Sequence, residues 1–421
     1  MPCTTAVWTR EHVESMELRS ELMAPPIPRD FPVMSDDVWL WDTWPLTDLS
    51  MRPVSVCGRH VIIGLVAPRA IAFDDRHAIA RIGWFTSCDG HQWNYRGHLI
   101  PDGVALGTRQ WSGSAVLIGD QVHLFYTACG SGDDPGADWE RTDYVQRVAH
   151  ATATVEATPD GFDLGARRFL DSVIVAEGDG RLYQTHHEAE GSEILYGFRD
   201  PFVFGDDGDV LMLFSGNQPG PGCFTANVGL ARALDSALDR WELLPPLLHA
   251  VGVNQQLERP HLVRDNGLYY LFFLSHRETY APGLSGPDGL YAFVSERLRG
   301  GYRPVNGSGL VMANPLDRPP ERYADYVMPN WLVEGFIDMV GDRRGGTLAP
   351  TLHLTADGDG RGGSLPRLRR GPCHDRRGHP GTALTVRRPR GPASTRPDCP
   401  RARGASRPYP TRWGTGGPAP K

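Results

Sequence analysis

The sequence predicts an all-β fold assembled from repeated antiparallel hairpins. Short apolar runs recur at near-regular spacing, Gly/Asp/Asn turn signals separate them, and few stretches between them have helical periodicity. The runs are HVIIGLVA, RIGWFTS, SAVLIG, VHLFYTA, VAHATATV, VLMLFSG, NVGLARA, HLVRDNGLYYLFFLS and LYAFVSE. In HLVRDNGLYYLFFLS the pair Asn266-Gly267 separates two apolar runs, which suits a two-residue turn with positive φ at both positions. IGDQVHLFYTA and FGDDGDVLMLFSG repeat the same plan. Spacing alone leaves a sandwich, a barrel and a propeller open.

Ahead of the strands, Thr9 to about Leu22 has roughly helical spacing and ends at the prolines of MAPPIP. Residues 1–30 are therefore read as a helix and lead-in, 31–356 as the β body and 357–421 as a tail of different composition. The tail contains fourteen Arg and Lys421 against four Asp, a net charge of about +11, which leaves the rest near −18 in a chain of net charge −7. Its Gly, Pro and Arg content and lack of apolar periodicity predict disorder. Lys421 is the single lysine of the chain, so an out-of-frame reading of a GC-rich gene beyond Asp357 would produce this composition; a genuine basic tail is the alternative.

At 421 residues, 40% hydrophobic and 22% charged, the chain can bury a large core, and no apolar run is long enough to span a membrane. The acidic body disfavours nucleic acid as a partner. MPCTTAVWTREHVESMELRS lacks the layout of a conventional secretory signal. The seven cysteines form no C-x-x-C pair, which disfavours a zinc site or a disulfide framework and leaves room for a single bridge.

Three acids lie in settings suited to sugar chemistry of the retaining kind, which needs a carboxylate nucleophile and an acid/base about 5 to 5.5 Å apart. Asp42 lies between Trp41 and Trp44 in WDTWPL, among rings that could wall a sugar pocket or simply fill a core. Asp200 follows Arg199 in GFRDPFVF, where the guanidinium should keep it ionised, although Arg-Asp-Pro is also an ordinary turn. Glu258 lies in LERPH at the start of the strand entering the Asn266-Gly267 turn; a surface pair with Arg259 is its plain alternative. Asp74, Asp75, Arg76 and His77 in FDDRHAIARIG read as a structural loop, and Asp206-Asp207-Gly208-Asp209 as a solvated turn in preference to a calcium loop.

Together WDTWPL, QWSGSAVL, FRDPFVF, LERPH and NGSGLVM, in that order, resemble glycoside hydrolase family 68, the levansucrases and inulosucrases, and WELLPPLL with AVGVN is similar to its shorter bacterial members. The resemblance runs from about Trp8 to Leu354. It implies a five-bladed β-propeller with a central pocket, and retaining transfer of the fructosyl unit of sucrose to fructan, sugar or water through a covalent fructosyl-aspartate. It further implies Asp42 as nucleophile, Glu258 as acid/base, Asp200 as transition-state stabiliser, and Trp41, Trp111, Ser112, Arg199, Gln256, His276 and Tyr323 as substrate-binding residues. Asn217 is a further acceptor contact on this reading.

Sucrose and fructan acceptors are the expected partners, with no metal or organic cofactor; Gln255 stands where calcium-binding members carry an Asp ligand. The family's closing stretch gives way here to the Arg-rich tail, so the last blade is expected to be incomplete. The mechanism calls for a raised pKa at Glu258 through burial. The resemblance suggests extracellular or periplasmic work, and the absence of a conventional signal layout leaves non-classical export or a cytoplasmic location open. An invertase or fructanase passing fructose to water, and a non-catalytic sugar- or protein-binding propeller, are the rival readings.

Overall fold

Apolar runs such as Leu268–Ser275, in which every residue is buried, belong to strands covered on both faces. The computed structural model describes residues 5–130, 144–159, 161–165, 168–189, 196–220, 222–357, 367–370 and 382–384. These strands form five successive antiparallel units, each beginning with one inner strand: Val38–Thr47, Arg109–Ile118, Phe198–Asp206, Glu258–Asp265 and Arg322–Val327. Each inner strand touches the next, and the fifth touches the first. This is the arrangement of a five-bladed β-propeller. Trp41, Trp44, Leu46, Ala115, Leu213 and Leu271 belong to one continuous core running through several units.

All five inner strands break register at corresponding places. The shifts fall between Trp41 and Trp44, Trp111 and Gly113, Arg199 and Phe202, Glu258 and His261, and Tyr323 and Tyr326. Four of these bulges hold a non-glycine residue at positive φ: Asp42 at 48°, Asp200 at 59°, Arg259 at 47° and Ala324 at 57°. Such a residue costs roughly 1–2 kcal/mol, and the bulge turns its side chain out of the regular alternation. The hairpin ends behave as the sequence suggests: Asn266 and Gly267 have φ of 50° and 78°, and Asp207-Gly208 turns in the same way at 48° and 87°.

The N-terminal helix is shorter than its spacing predicts. It covers Arg10–Glu14, and a 3-10 turn follows at Ser20–Leu22. Thr9 and His12 close a capping box at its start, but Val13 is its one buried residue, too small an apolar stripe to sustain more turns. The lead-in instead anchors through Trp8, which is fully buried against Phe273 and Tyr291 and donates to Ser308 O at 3.0 Å.

Part of the predicted tail also belongs to the body. Arg367–Arg370 pairs antiparallel with Leu354–Asp357 and adds a strand to the fifth unit, with Leu368 buried. Asn306 receives a bond from Leu368 N at 3.1 Å and donates to Leu368 O at 2.8 Å. Thr382–Leu384 pairs parallel with Val54–Val56. The fifth unit therefore pairs Arg322–Val327, Leu332–Val340, Leu352–Asp357 and Arg367–Arg370 in order; the remainder of the tail lies outside the described residues. Cys88 is disulfide-bonded, whereas Cys57 and Cys223 are free.

The bulge at Ser112 leaves no room for a side chain on the next residue. A Cβ on Gly113 would lie 1.9 Å from Phe125 O, a backbone atom that cannot move without opening the second unit. Gly113→Ala is expected to destabilise the protein by about 1–3 kcal/mol or more in denaturant unfolding, whereas Gly103→Ala, with nothing near its Cβ and no positive φ, should cost less; equal costs would contradict the close approach.

Candidate active site

The five bulges bring the sequence-predicted residues to one place. Two adjoining cavities of about 170 and 300 Å³ open there. The smaller is lined by Trp41, Asp42, Glu258, His276 and Tyr323 among others, the larger by Asp42, Trp111, Ser112, Arg199, Asp200 and Glu258. A bigger cavity of about 370 Å³ beside the N-terminal helix shares Asp288 and Pro319 with the smaller of these two and holds none of the predicted acids.

Asp42 Oδ2 accepts from Ser112 Oγ at 2.7 Å, and its Oδ1 is 3.8 Å from Arg259 Nη1. Asp200 is buried; its Oδ2 accepts from Arg259 N at 3.0 Å and Ser215 Oγ at 3.2 Å, with Arg199 Nε 3.6 Å away. Arg199 Nη2 donates at 2.8 Å to both Gln256 Oε1 and Glu258 Oε1. Glu258 Oε2 accepts from Tyr323 OH and lies 3.3 Å from His276 Nε2. The His276 ring stacks on Tyr323 with centroids 4.2 Å apart, and its Nδ1 is 3.4 Å from Asp288 Oδ1.

Trp41 is fully buried and forms the wall behind Asp42, with Arg76 over its ring at 5.4 Å. Trp111 is held by a bond from its Nε1 to His77 O at 3.2 Å. Asn217 does not reach the cavities. It is buried, accepting from Gly197 N and donating to Gln255 O and Thr225 Oγ1, so its amide is consumed in supporting the chain around Arg199.

The charges depart from sequence expectation. Burial pushes the Asp200 carboxyl up to about 6; the neighbouring Arg199 opposes this without cancelling it, and Glu258 adds to the rise. At Glu258 burial also pushes upward, but hydrogen bonding and charge from His276, followed by Arg199 and the Tyr323 hydroxyl, outweigh it and hold the carboxyl below the usual range. Burial alone would lower the His276 imidazole; its bonds to Asp288 and Glu258 and their charges reverse this and raise it to about 10. The two shifts run in the directions of an ion pair between Glu258 and His276, opposite to the raised carboxyl that the sequence leads one to expect at Glu258.

Sequence reasoning passed over several residues here. Arg259 was read only as a neighbour of Glu258, yet it is buried and donates to Thr43 O at 2.6 Å and Ala324 O at 3.2 Å. Asp288, which orients His276, sits in an undistinguished loop. The loop taken as structural divides: Asp74 pairs with Arg344 on the outside, while Arg76 and His77 face the cavities. Among the described residues no group of three or more His, Cys, Asp or Glu side chains is arranged to hold a metal ion.

The ion pair carries a pH signature. Because the folded pKa of His276 lies above its ordinary 6.5, the stabilisation is complete below about pH 6.5 and is lost as pH rises towards 10. Thermal unfolding of the wild type should therefore lose more stability across that interval than His276→Gln does; parallel curves would show that the pair does not contribute.

The comparisons with known proteins identify the family. The family model described as Levansucrase/Invertase matches residues 2–225 and 222–365. The chain is 40% identical over 391 residues to an extracellular sucrase of Zymomonas mobilis subsp. mobilis, covering 83% of this chain and 91% of the relative. It is 38% identical over 403 residues to a levansucrase of Pseudomonas savastanoi pv. glycinea, covering 84% and 92%. Among solved structures, an inulosucrase from Halalkalicoccus jeotgali bound to kestose is similar with a TM-score of 0.78 and 37% identity over 87% of this chain and 95% of the other. On this sequence and fold similarity, the chain belongs to the levansucrase/invertase family, glycoside hydrolase family 68.

Proposed function

We propose that this protein is a levansucrase-type fructosyltransferase that takes the fructosyl unit from sucrose and delivers it to a growing fructan, another sugar or water. The observation that carries the reading is that Asp42 and Glu258 line the same pair of cavities, with the buried Asp200 against the larger one. Two carboxylates bordering one space are what double displacement at a single sugar carbon requires.

In the first step an Asp42 oxygen attacks the anomeric carbon of the fructosyl unit. The bond to the glucosyl oxygen breaks, its electron pair stays on that oxygen, and Glu258 supplies the proton. Ser112, bonded to Asp42 Oδ2, leaves Oδ1 as the attacking atom. In the second step Glu258 takes the proton of the acceptor hydroxyl as that oxygen displaces Asp42. The proton is available although Glu258 is a strong acid, because Glu258 and His276 bind it jointly and a shift along their contact converts the ion pair into imidazole and carboxylic acid. Asp200, with a pKa of about 6, is largely ionised at neutral pH and can accept hydrogen bonds from fructosyl hydroxyls, stabilising the positive charge that develops on the ring. Arg199, Gln256, Trp41, Trp111, His276 and Tyr323 complete the substrate contacts.

Hydrolysis by the same acids is the second reading, favoured by the similarity to an extracellular sucrase. That similarity also supports action outside the cytoplasm, in the medium or the periplasm. No helix among the described residues is long and apolar enough to cross a membrane.

Incubating the purified protein with concentrated sucrose and measuring glucose and free fructose separately tests the proposal. Fructose should lag behind glucose, with the difference recovered in fructan or oligosaccharide. Equal amounts would make it a hydrolase, and no glucose would leave a binding propeller. Asp42→Asn is expected to reduce glucose release by on the order of 10⁴-fold or more with its unfolding midpoint kept. Glu258→Gln should fail on sucrose and recover on a fructosyl donor whose leaving group needs no proton; equal loss on both donors would remove the acid role.

A further inference from the structure

Among the described residues, three line both cavities: Asp42, Glu258 and His77. The first two are the proposed nucleophile and acid/base, so the border between the cavities is where the scissile bond must lie. His77 therefore stands at that border as well. On the proposed function, the larger cavity, with Trp111, Ser112, Arg199 and Asp200, takes the fructosyl unit. The smaller one, with His276 and Tyr323, takes the sugar on the other side of the bond.

The surrounding turn holds His77 in place. Phe73–Ile79 forms a 3-10 turn, and Arg76 within it is buried, donates to Phe73 O at 2.9 Å and lies over the Phe73 and Trp41 rings. The backbone carbonyl of His77 accepts from Trp111, tying the turn to the second inner strand. The imidazole meets the Trp41 ring edge-on at 5.5 Å. Neither of its ring nitrogens has a hydrogen-bond partner among the described residues, although the ring is exposed to the cavity. Desolvation in the pocket, followed by the positive charge of Arg76, lowers its pKa, so the ring is neutral and can both donate and accept.

We propose that His77 hydrogen-bonds a hydroxyl of the sugar beside the scissile oxygen, the departing glucosyl unit in the first step and the accepting sugar in the second, and thereby favours sugar over water as acceptor. This rests on the fructosyltransferase reading above. Water needs no such contact to attack, whereas an incoming sugar must be held with one hydroxyl aimed at the anomeric carbon. Losing His77 therefore harms transfer more than hydrolysis.

The test compares wild type, His77→Ala and His77→Asn at high sucrose, with glucose, free fructose and transfer products quantified, kcat and KM determined from pH 5 to 8, and unfolding midpoints recorded. His77→Ala should lower kcat/KM for sucrose roughly tenfold, the worth of one neutral hydrogen bond, and bring free fructose closer to glucose. His77→Asn, whose amide also donates and accepts, should recover part of both, with a pH profile that coincides with the wild type. If His77→Ala does not fold, the comparison of His77→Asn with wild type decides: kcat/KM and acceptor partition must stay nearer to normal than for a His77→Leu variant of matched stability. An unchanged acceptor partition in His77→Ala overturns the proposal, as does a shifted pH limb in His77→Asn, which would make the imidazole a proton carrier. No glucose from the wild type would instead overturn the underlying reading.

Discussion

The site depends on a repeated interruption of pairing in the five innermost strands. A regular strand sends alternate side chains to opposite faces of its sheet, and in a propeller both faces are covered by neighbouring blades. Polar residues on such a strand would be buried in the core. The bulges release Asp42, Asp200, Glu258 and Tyr323 from that alternation, and the left-handed backbone at Asp42, Asp200, Arg259 and Ala324 is its cost. Asp tolerates this conformation better than most residues, whereas Arg and Ala do not. Arg259 offsets the strain: its guanidinium bonds to carbonyls beside two other bulges and its backbone amide bonds to Asp200. One side chain thus fixes the relative positions of three inner strands.

The electrostatics follow from this crowding. Arg199, bonded directly to Glu258, is shared among Glu258, Gln256 and Asp200, so no carboxylate receives its full effect. Asp200, deepest and least hydrated, rises to about 6, while Glu258, with three donors around it, falls. The proposed acid is therefore one member of a proton-sharing pair, and Asp288 behind His276 helps to set where the proton resides.

Much of this was legible in the chain itself. The turn at Asn266-Gly267 follows from two residues that tolerate positive φ, and the hairpins follow from apolar runs of strand length. The acids stood out because each sits in a motif, and their order identified the family. The contributions of Arg259, Asp288 and His77 were not legible, since each acts across a distance of many residues and none carries a local mark: a buried Arg bonded to carbonyls 65 and 216 positions away has no sequence signature. The direction of the shifts at Asp200 and Glu258 was hidden for a related reason. Adjacency of Arg199 to Asp200 in the chain says nothing about how that cation divides its attention in space.

The strand Arg367–Arg370 shows how little identity a blade's outer edge demands. Its alignment depends on backbone groups, paired with Leu354–Asp357 on one side and with the amide of Asn306 on the other, and a single inward leucine fills the available hollow. Arginines occupy the alternate outward positions without conflict. The periphery of this molecule can therefore accept wide sequence drift so long as an extended segment with one apolar residue in the right phase arrives there, while the centre, where five strands meet at bulges, leaves far less freedom.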